Sequence, residues 1–342
     1  MSSKLLAGRA PLVSVLALAV LTACGGGGGD STPEPTPTPP VPEKALALTA
    51  SNYQAAAEQA LRAGSYLMES SDLLSGAQAG PQPSAIKTAV KQLPMLLSQF
   101  KRPATVAAAV INDAIVCSGG GKVDISFNDA NNNNAPDEGE SILMVASACK
   151  EDGVVTSGRI EVSLTKLTGV FDSSNYSAAI AMKLVNFSVT SPAGSATGQG
   201  ELKVSMAATS ATQSSLQIEA SNFSSSGRLG ALEYQQSITN FVISSSSSSS
   251  PASGEIIDTA TVRGTLASSA LDGKTIGIET PIALTFSSAK DYPTAGKMVI
   301  KGAANSLVQM TVQANGRVLI ELDADGNGSI DSNVTKAWSE LY

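Results

Sequence analysis

The chain contains no histidine. Without imidazole there is no Ser-His-Asp or Cys-His nucleophile pair, the usual general base near neutral pH is missing, and so is the commonest zinc ligand. Aromatic residues make up only 4%, with Trp338 the single tryptophan. The paired carboxylates Glu138/Glu140 and Asp323/Asp325 could be imagined in a glycosidase, but aromatic platforms for a sugar have little to be built from. Trp338 itself, beside Leu341 and Tyr342, reads as a core plug that locks the last strand. Basic residues are outnumbered, 22 Lys and Arg against 29 Asp and Glu, for a formal charge of −7. Such a chain repels phosphate backbones, so no nucleic-acid partner is expected. Only three cysteines occur, Cys24, Cys117 and Cys149. Ser, Thr, Gly and Ala fill the gap, so the core must be thin layers of Val, Ile, Leu and Met.

At the N-terminus, Lys4 and Arg9 precede an uncharged apolar run from Pro11 to Leu21. This is the layout of an export signal, too short to span a membrane as a mature helix. Its end, Leu21-Thr22-Ala23-Cys24, resembles the lipobox of bacterial lipoproteins. The resemblance implies a diacylglycerol on the Cys24 thiol, cleavage before Cys24 and acylation of the new amino group. Residues 1–23 are then a lipoprotein signal peptide, and the membrane is a partner through the lipid anchor. Gly25 stands where an aspartate would imply inner-membrane retention, so the resemblance points to the outer membrane. Residues 24–43, a glycine run followed by Ser/Thr-Pro alternation, read as a Gly/Pro-rich tether. An exported chain with two cysteines left over predicts a Cys117–Cys149 disulfide, a contribution of about 3–4 kcal/mol on the chain-entropy model.

Residues 44–120 read as a helical part packing on a sheet. Ser51 with Gln54 fits a capping box, and Tyr53, Ala57, Ala60 and Leu61 share one helix face. A second helix from Ser84 would carry Ile86, Val90, Leu93 and Leu97 on one side, with Pro94 kinking or ending it. Residues 104–116 suit helix or strand.

From residue 121 to 342 the apolar period becomes two. Val123-Ile125-Phe127, Ile160-Val162-Leu164, Ile180-Met182-Leu184, Leu202-Val204-Met206 and Leu216-Ile218 all follow it. So do Leu232-Tyr234, Ile282-Leu284-Phe286, Met298-Ile300, Val308-Met310-Val312 and Val318-Ile320-Leu322. One apolar and one polar face, with Gly/Asn/Asp/Ser turns between, predict a mainly β fold. We expect a long-stranded antiparallel meander, curved as an open sheet, half-barrel or barrel, with one or two N-terminal helices. The beat slips by one residue twice, which predicts β-bulges near Val185–Asn186 and Thr239–Asn240. Ser244–Ser250 reads as a loop. In a flat meander, strands holding Cys117 and Cys149 would lie about 10 Å apart, too far for a disulfide. The chain entering Cys117 is therefore expected to cross the sheet end unpaired, and the bond to staple the helical part onto the strands.

Two stretches place oxygen side chains at alternate positions, as a calcium loop requires. Asp323, Asp325, Asn327, Ser329 and Asp331 resemble the first nine positions of an EF-hand-type loop. Gly328 stands at the sharp turn and Ile330 at the core position, while Val334 replaces the twelfth-position glutamate. Asp129, Asn131, Asn133, Asp137 and Glu140 form the other set; Glu140 fills position twelve, but Asn134 replaces the glycine and Pro136 the hydrophobic residue. Calcium is thus the one cofactor suggested, as a brace for a turn. Both stretches also read as ordinary polar turns between strands. Five Ser-x-x-Lys pairs lack the accompanying motifs of a serine hydrolase, and Asp272-Gly273-Lys274-Thr275 lacks the first glycine of a phosphate loop. The reading is a lipid-anchored cell-envelope protein, a non-catalytic binding or structural module. A carrier of an apolar or lipid-like ligand in a curved-sheet groove, lined by Met182, Leu202, Met206 and Leu232, is the first alternative, and a hydrolase the second. A membrane-spanning barrel lacks the aromatic girdles it would need.

Overall fold

The computed structural model describes residues 45–68, 83–98, 110–131, 133, 135–171 and 173–341. Residues 42–342 form one compact unit. The signal peptide, Cys24 and the tether up to residue 43 lie outside the described residues.

Fourteen antiparallel strands follow one another in a single sheet whose spatial order is the chain order. The first seven are β1 (Val110–Val116), β2 (Lys122–Asn128), β3 (Ser141–Glu151), β4 (Val154–Gly169), β5 (Tyr176–Ser191), β6 (Gly194–Ser210) and β7 (Gln213–Leu229). The rest are β8 (Leu232–Ser249), β9 (Ile256–Ser268), β10 (Thr275–Ser287), β11 (Ala295–Lys301), β12 (Leu307–Gln313), β13 (Arg317–Asp323) and β14 (Ser332–Ala337). The sheet is not closed into a barrel: β1 and β14 are its two edges.

The period-two residues turn inward to one dry layer. Val204, Ile218, Val308, Ile160, Ile180 and Ile320 are buried, and Val123 packs against them half-buried. Two of the expected inward residues depart from this. Leu232 is 75% exposed at the β7–β8 hairpin, and Ile282 is exposed between two register shifts of β10, beside Pro281.

Helix α1 (Tyr53–Met68) packs on β8, β9 and β11 to β13, and α2 (Ala85–Ser98) packs on β5 and β6. Laid flat, fourteen strands would span about 60 Å, whereas two helices cover about 20 Å. Burial of the inner face from Phe127 on β2 to Val318 on β13 therefore requires a curved sheet. The cap of α1 lies two residues before the expected one: the Thr49 N–H donates to Asn52 Oδ1 at 2.8 Å, and the Tyr53 N–H to the Thr49 carbonyl. Ser84 caps α2 through the Lys87 N–H. That helix runs past Pro94 to Ser98, because Leu93, Leu96 and Leu97 are all buried against the core and hold its last turn.

Both expected bulges are present. The register shifts between Leu184 and Phe187 on β5 and between Thr239 and Val242 on β8. The extra residues Asn186 and Asn240 adopt left-handed backbone, φ 46° and 48°. They belong to a row that crosses adjacent strands. Ala148 on β3, Gly158 on β4, Gly200 on β6 and Gly264 on β9 also have positive φ beside register shifts of their strands. A Cβ on Gly158 would lie 2.3 Å from the Asn186 carbonyl oxygen, so only glycine lets β4 meet the β5 bulge. Each extra residue restores the inward face after the bend, so Ile180, Met182 and Leu184 give way to Phe187 and Val189, all buried.

Two expectations about the strands are corrected. Ser244–Ser249 is not a loop but the second half of β8, paired on both sides with Gln213–Gln217 and Ile256–Thr261. Neighbouring ladders satisfy its backbone; the exposed Ser246 hydroxyl bonds Thr259 at 2.7 Å, while the buried Ser245 hydroxyl donates to the Leu216 carbonyl. The chain entering Cys117 does pair, as β1 against β2 from Val110↔Asn128 to Val116↔Lys122. The disulfide forms nonetheless, with Cα atoms 5.4 Å apart. Strand β3 outruns β2, and the β1–β2 turn folds over onto the surplus. The Gly119 N–H donates to the Lys150 carbonyl and the Lys150 N–H to the Gly120 carbonyl, both at 2.9 Å. The bond therefore closes the first hairpin onto the third strand and does not staple the helices.

Candidate functional site

The two acidic turns sit at opposite ends of the strands, as the meander dictates: one joins β2 to β3, the other β13 to β14. In the β13–β14 turn, Asp323 ends its strand and is buried. It accepts the N–H groups of Gly326 (2.8 Å), Asn327 (3.2 Å) and Gly328 (2.8 Å). Burial pushes its pKa up, but the Gly328, Gly326 and Asn327 bonds outweigh it and leave the carboxyl below its ordinary value. Asp325 accepts the Asn327 backbone and side-chain N–H groups, Asn327 Oδ1 accepts the Ser329 N–H, and Asp331 accepts the Ala324 N–H. Carboxylate oxygens of Asp323, Asp325 and Asp331 lie within 4.8 Å of one another. Ile330 is 46% exposed, not in the core, because a strand rather than a helix follows the turn.

The β2–β3 turn is organised differently. Asp129 and Glu140 are 3% and 1% exposed. Asp129 Oδ1 and Asn131 Oδ1 both accept the Asn133 N–H, and Asn133 Oδ1 accepts the Ala135 N–H. The side-chain amides of Asn131 (2.7 Å) and Asn133 donate to the same oxygen, Asp137 Oδ2. Glu140 Oε2 accepts the Asp137 N–H at 2.9 Å, while its Oε1 makes no hydrogen bond. Burial raises the Glu140 pKa above its ordinary value; the Asp137 N–H works against it, the negative charges of Asp129 and Asp137 add to it, and the Ala130 N–H lowers it slightly. The Gly139 N–H to the Leu164 carbonyl, and the Leu164 N–H to the Glu140 carbonyl, pin the turn to β4.

A third acidic grouping went unread in the sequence. Glu151 lies beside Cys117 and Cys149, but the sulfurs are bonded to each other and are not ligands. Its carboxylate instead accepts the Ser118 N–H and hydroxyl, both at 2.6 Å, which holds its pKa below the ordinary value. Only a long-range contact across the folded corner creates this pair.

Of the four side chains expected to line a groove, three lie in the core and Leu232 stands exposed at a hairpin. Met182, Leu202 and Met206 are buried in the core with both helices. The cavity between helices and sheet, beside Ala63, Ile86, Phe223 and Tyr234, measures about 20 Å³. Larger open hollows of about 330 and 660 Å³ lie on the sheet; the first mixes Ser205 and Gln217 with Ala178, Met206 and Leu216, and the second is lined mainly by Ser and Gln, among them Ser224 and Gln235.

Fold and site together define an open, bent β-meander with two helices among the described residues packed on its inner face and buried acidic residues in two of its turns. No protein family, curated protein or solved structure matches the chain.

Proposed function

We propose that the protein is a lipid-anchored, non-catalytic module of the cell envelope, held at the outer membrane through Cys24 and presenting its sheet on a Gly/Pro tether. The observation that carries this reading is Leu21-Thr22-Ala23-Cys24 at the end of an uncharged apolar run, followed by the Gly/Pro-rich stretch 24–43. Among the described residues the cavity between helices and sheet, about 20 Å³, holds no more than a water molecule, which favours a structural or binding role over a carrier. The absence of histidine weighs against a hydrolase. A divalent cation held by an acidic turn acts in this reading as a brace, not a catalyst.

Mass spectrometry of the N-terminal peptide from native membranes tests the anchor. A mature chain starting at Cys24 with a diacylglyceryl thioether is expected; an unmodified Cys24 would overturn the reading. A mature chain exported without the lipid should be soluble and monomeric, whereas aggregation would point to a membrane-embedded sheet.

A further inference from the structure

The chain joins the sheet at one particular end of the strands. Ala45 bridges Thr275 at the start of β10, and the Leu46 N–H donates to the Thr275 carbonyl at 2.9 Å. The Ala303 N–H donates to the Leu46 carbonyl at 2.8 Å, and the Leu48 N–H to Ser306 Oγ at 3.0 Å. A meander places the β5–β6 and β7–β8 turns at that same end, and these two hairpins reach beyond it. Strand β8 makes its last pair with β9 at Gln236↔Ser268, so residues 232–235 run on past β9, about 13 Å at ordinary strand rise. The neighbouring hairpin keeps pace through Gly194↔Leu229 and Ser191↔Gly194.

Their tips, Ser191-Pro192-Ala193-Gly194 and Leu229-Gly230-Ala231-Leu232, carry no charge. Leu232 is 75% exposed, and Pro192, Ala193 and Ala231 are exposed as well. The tips lie two strands apart, about 10 Å. At the opposite end the β2–β3 turn is acidic, and Val170 is the one large apolar side chain exposed in a turn there among the described residues.

We propose that the β5–β6 and β7–β8 hairpin tips seat in the interface of the bilayer that holds Cys24. The inference rests on the lipid-anchor reading and deepens it by naming which end of the sheet meets the lipid. Residues 24–43 reach at most about 60 Å at the polyproline rise of about 3.1 Å per residue. They join the fold beside the projecting hairpin, since Thr275, Ala267 and Ser237 stand side by side on β10, β9 and β8. A linker of that reach keeps the tips near the lipid at roughly millimolar effective concentration. Small apolar tips then suffice where an untethered protein would need a larger apolar surface. Arg228 and Glu233, exposed on either side of the β7–β8 tip, stay at the headgroups.

Tryptophan fluorescence of the mature protein, purified from membranes and reconstituted in phosphatidylethanolamine/phosphatidylglycerol vesicles with or without brominated acyl chains, tests it. Trp338 is buried and gives a constant background. Leu232→Trp adds a probe at one tip, Pro192→Trp at the other, and Ala211→Trp in the β6–β7 turn at the far end, all at exposed positions. Brominated lipid should remove most of the added emission of Leu232→Trp and Pro192→Trp and little of that of Ala211→Trp. Equal quenching at the two ends, or none at either, in protein that floats with the vesicles would overturn the seating and leave the anchor standing. Shielding of Leu232→Trp from acrylamide without quenching by brominated lipid would also overturn it, in favour of a protein occupant such as a second copy. Failure to float with the vesicles would overturn the anchor, and the seating with it.

Discussion

Asn186→Val is the substitution that best separates backbone shape from side-chain packing in this sheet. Asn186 is exposed, so no buried surface is lost with it. Its φ of 46° is open to asparagine and glycine at little cost, whereas another L-residue is disfavoured there by roughly 1–2 kcal/mol, most of all a β-branched one. Asn240, φ 48°, holds the same position on β8, three strands away, about 14 Å at ordinary strand spacing. At that distance effects should add, so the double valine variant should lose roughly 2–4 kcal/mol. Urea unfolding measures it, with Lys203→Val as the control at an exposed strand position of ordinary geometry. The control should stay within about 0.5 kcal/mol of wild type, and Asn186→Gly should do nearly as well. A valine at 186 as benign as one at 203 would mean that the bulge is not left-handed and that the bend has another origin.

Ala148 occupies the same row with φ 49° but is neither glycine nor asparagine, so Ala148→Gly should stabilise by roughly 1 kcal/mol in the same urea assay. Replacing both Cys117 and Cys149 with serine opens a loop of sequence separation 32 and should cost roughly 3–4 kcal/mol, read as a lower urea midpoint than that of the oxidised protein. Because the Glu151 pKa is depressed in the folded protein, its bonds to Ser118 contribute stability that is complete above the ordinary value of 4.5 and lost as pH falls through the lower folded value. Amide exchange at Ser118 should therefore quicken on acidification below that range in wild type and be fast and flat with pH, after correction for intrinsic exchange, in Glu151→Gln.

The sheet was legible in the sequence wherever one face is buried, since alternation is then enforced residue by residue. Phase slips were legible for the same reason: Leu184 to Phe187 and Ile238 to Phe241 keep apolar residues inward only if one residue is extra. Elements with weak burial left no such mark. Strand β1 reads Val-Ile-Asn-Asp-Ala-Ile-Val without alternation, and as an edge strand it leaves Ile115 and Val116 exposed. Strand β14 has Val334 as its one large apolar residue. The serine run carries no preference of its own and becomes strand because two neighbours offer it ladders. The disulfide was legible as a pair but not as a geometry, since the turn folding over the end of β2 depends on the relative lengths of β2 and β3. In the acidic turns the ligand types were legible and their relative weight was not. Asp323–Asp331 follows the pattern better over nine positions, yet the unsatisfied buried oxygen belongs to Glu140, pinned by Leu164 from another strand.

Strand length decides how an open sheet of this width can be stable. Strands β4 to β8 run 16 to 18 residues, while β1, β2 and β11 to β13 have 7 each and β14 has 6. A straight 17-residue strand would extend about 57 Å, longer than a 16-residue helix of about 24 Å can cover. The row of bulges lies across these long strands and bends them, so both halves reach the same helical filling. At the far edge the short β14 gains little from burial, and there the helix supplies the tie directly. Lys336 on β14 meets Glu58 on α1 at 3.3 Å, with both side chains partly buried. That ion pair, together with the buried Trp338 side chain and the Trp338 backbone N–H donating to the Gly316 carbonyl, holds the last strand to the core where apolar alternation no longer can.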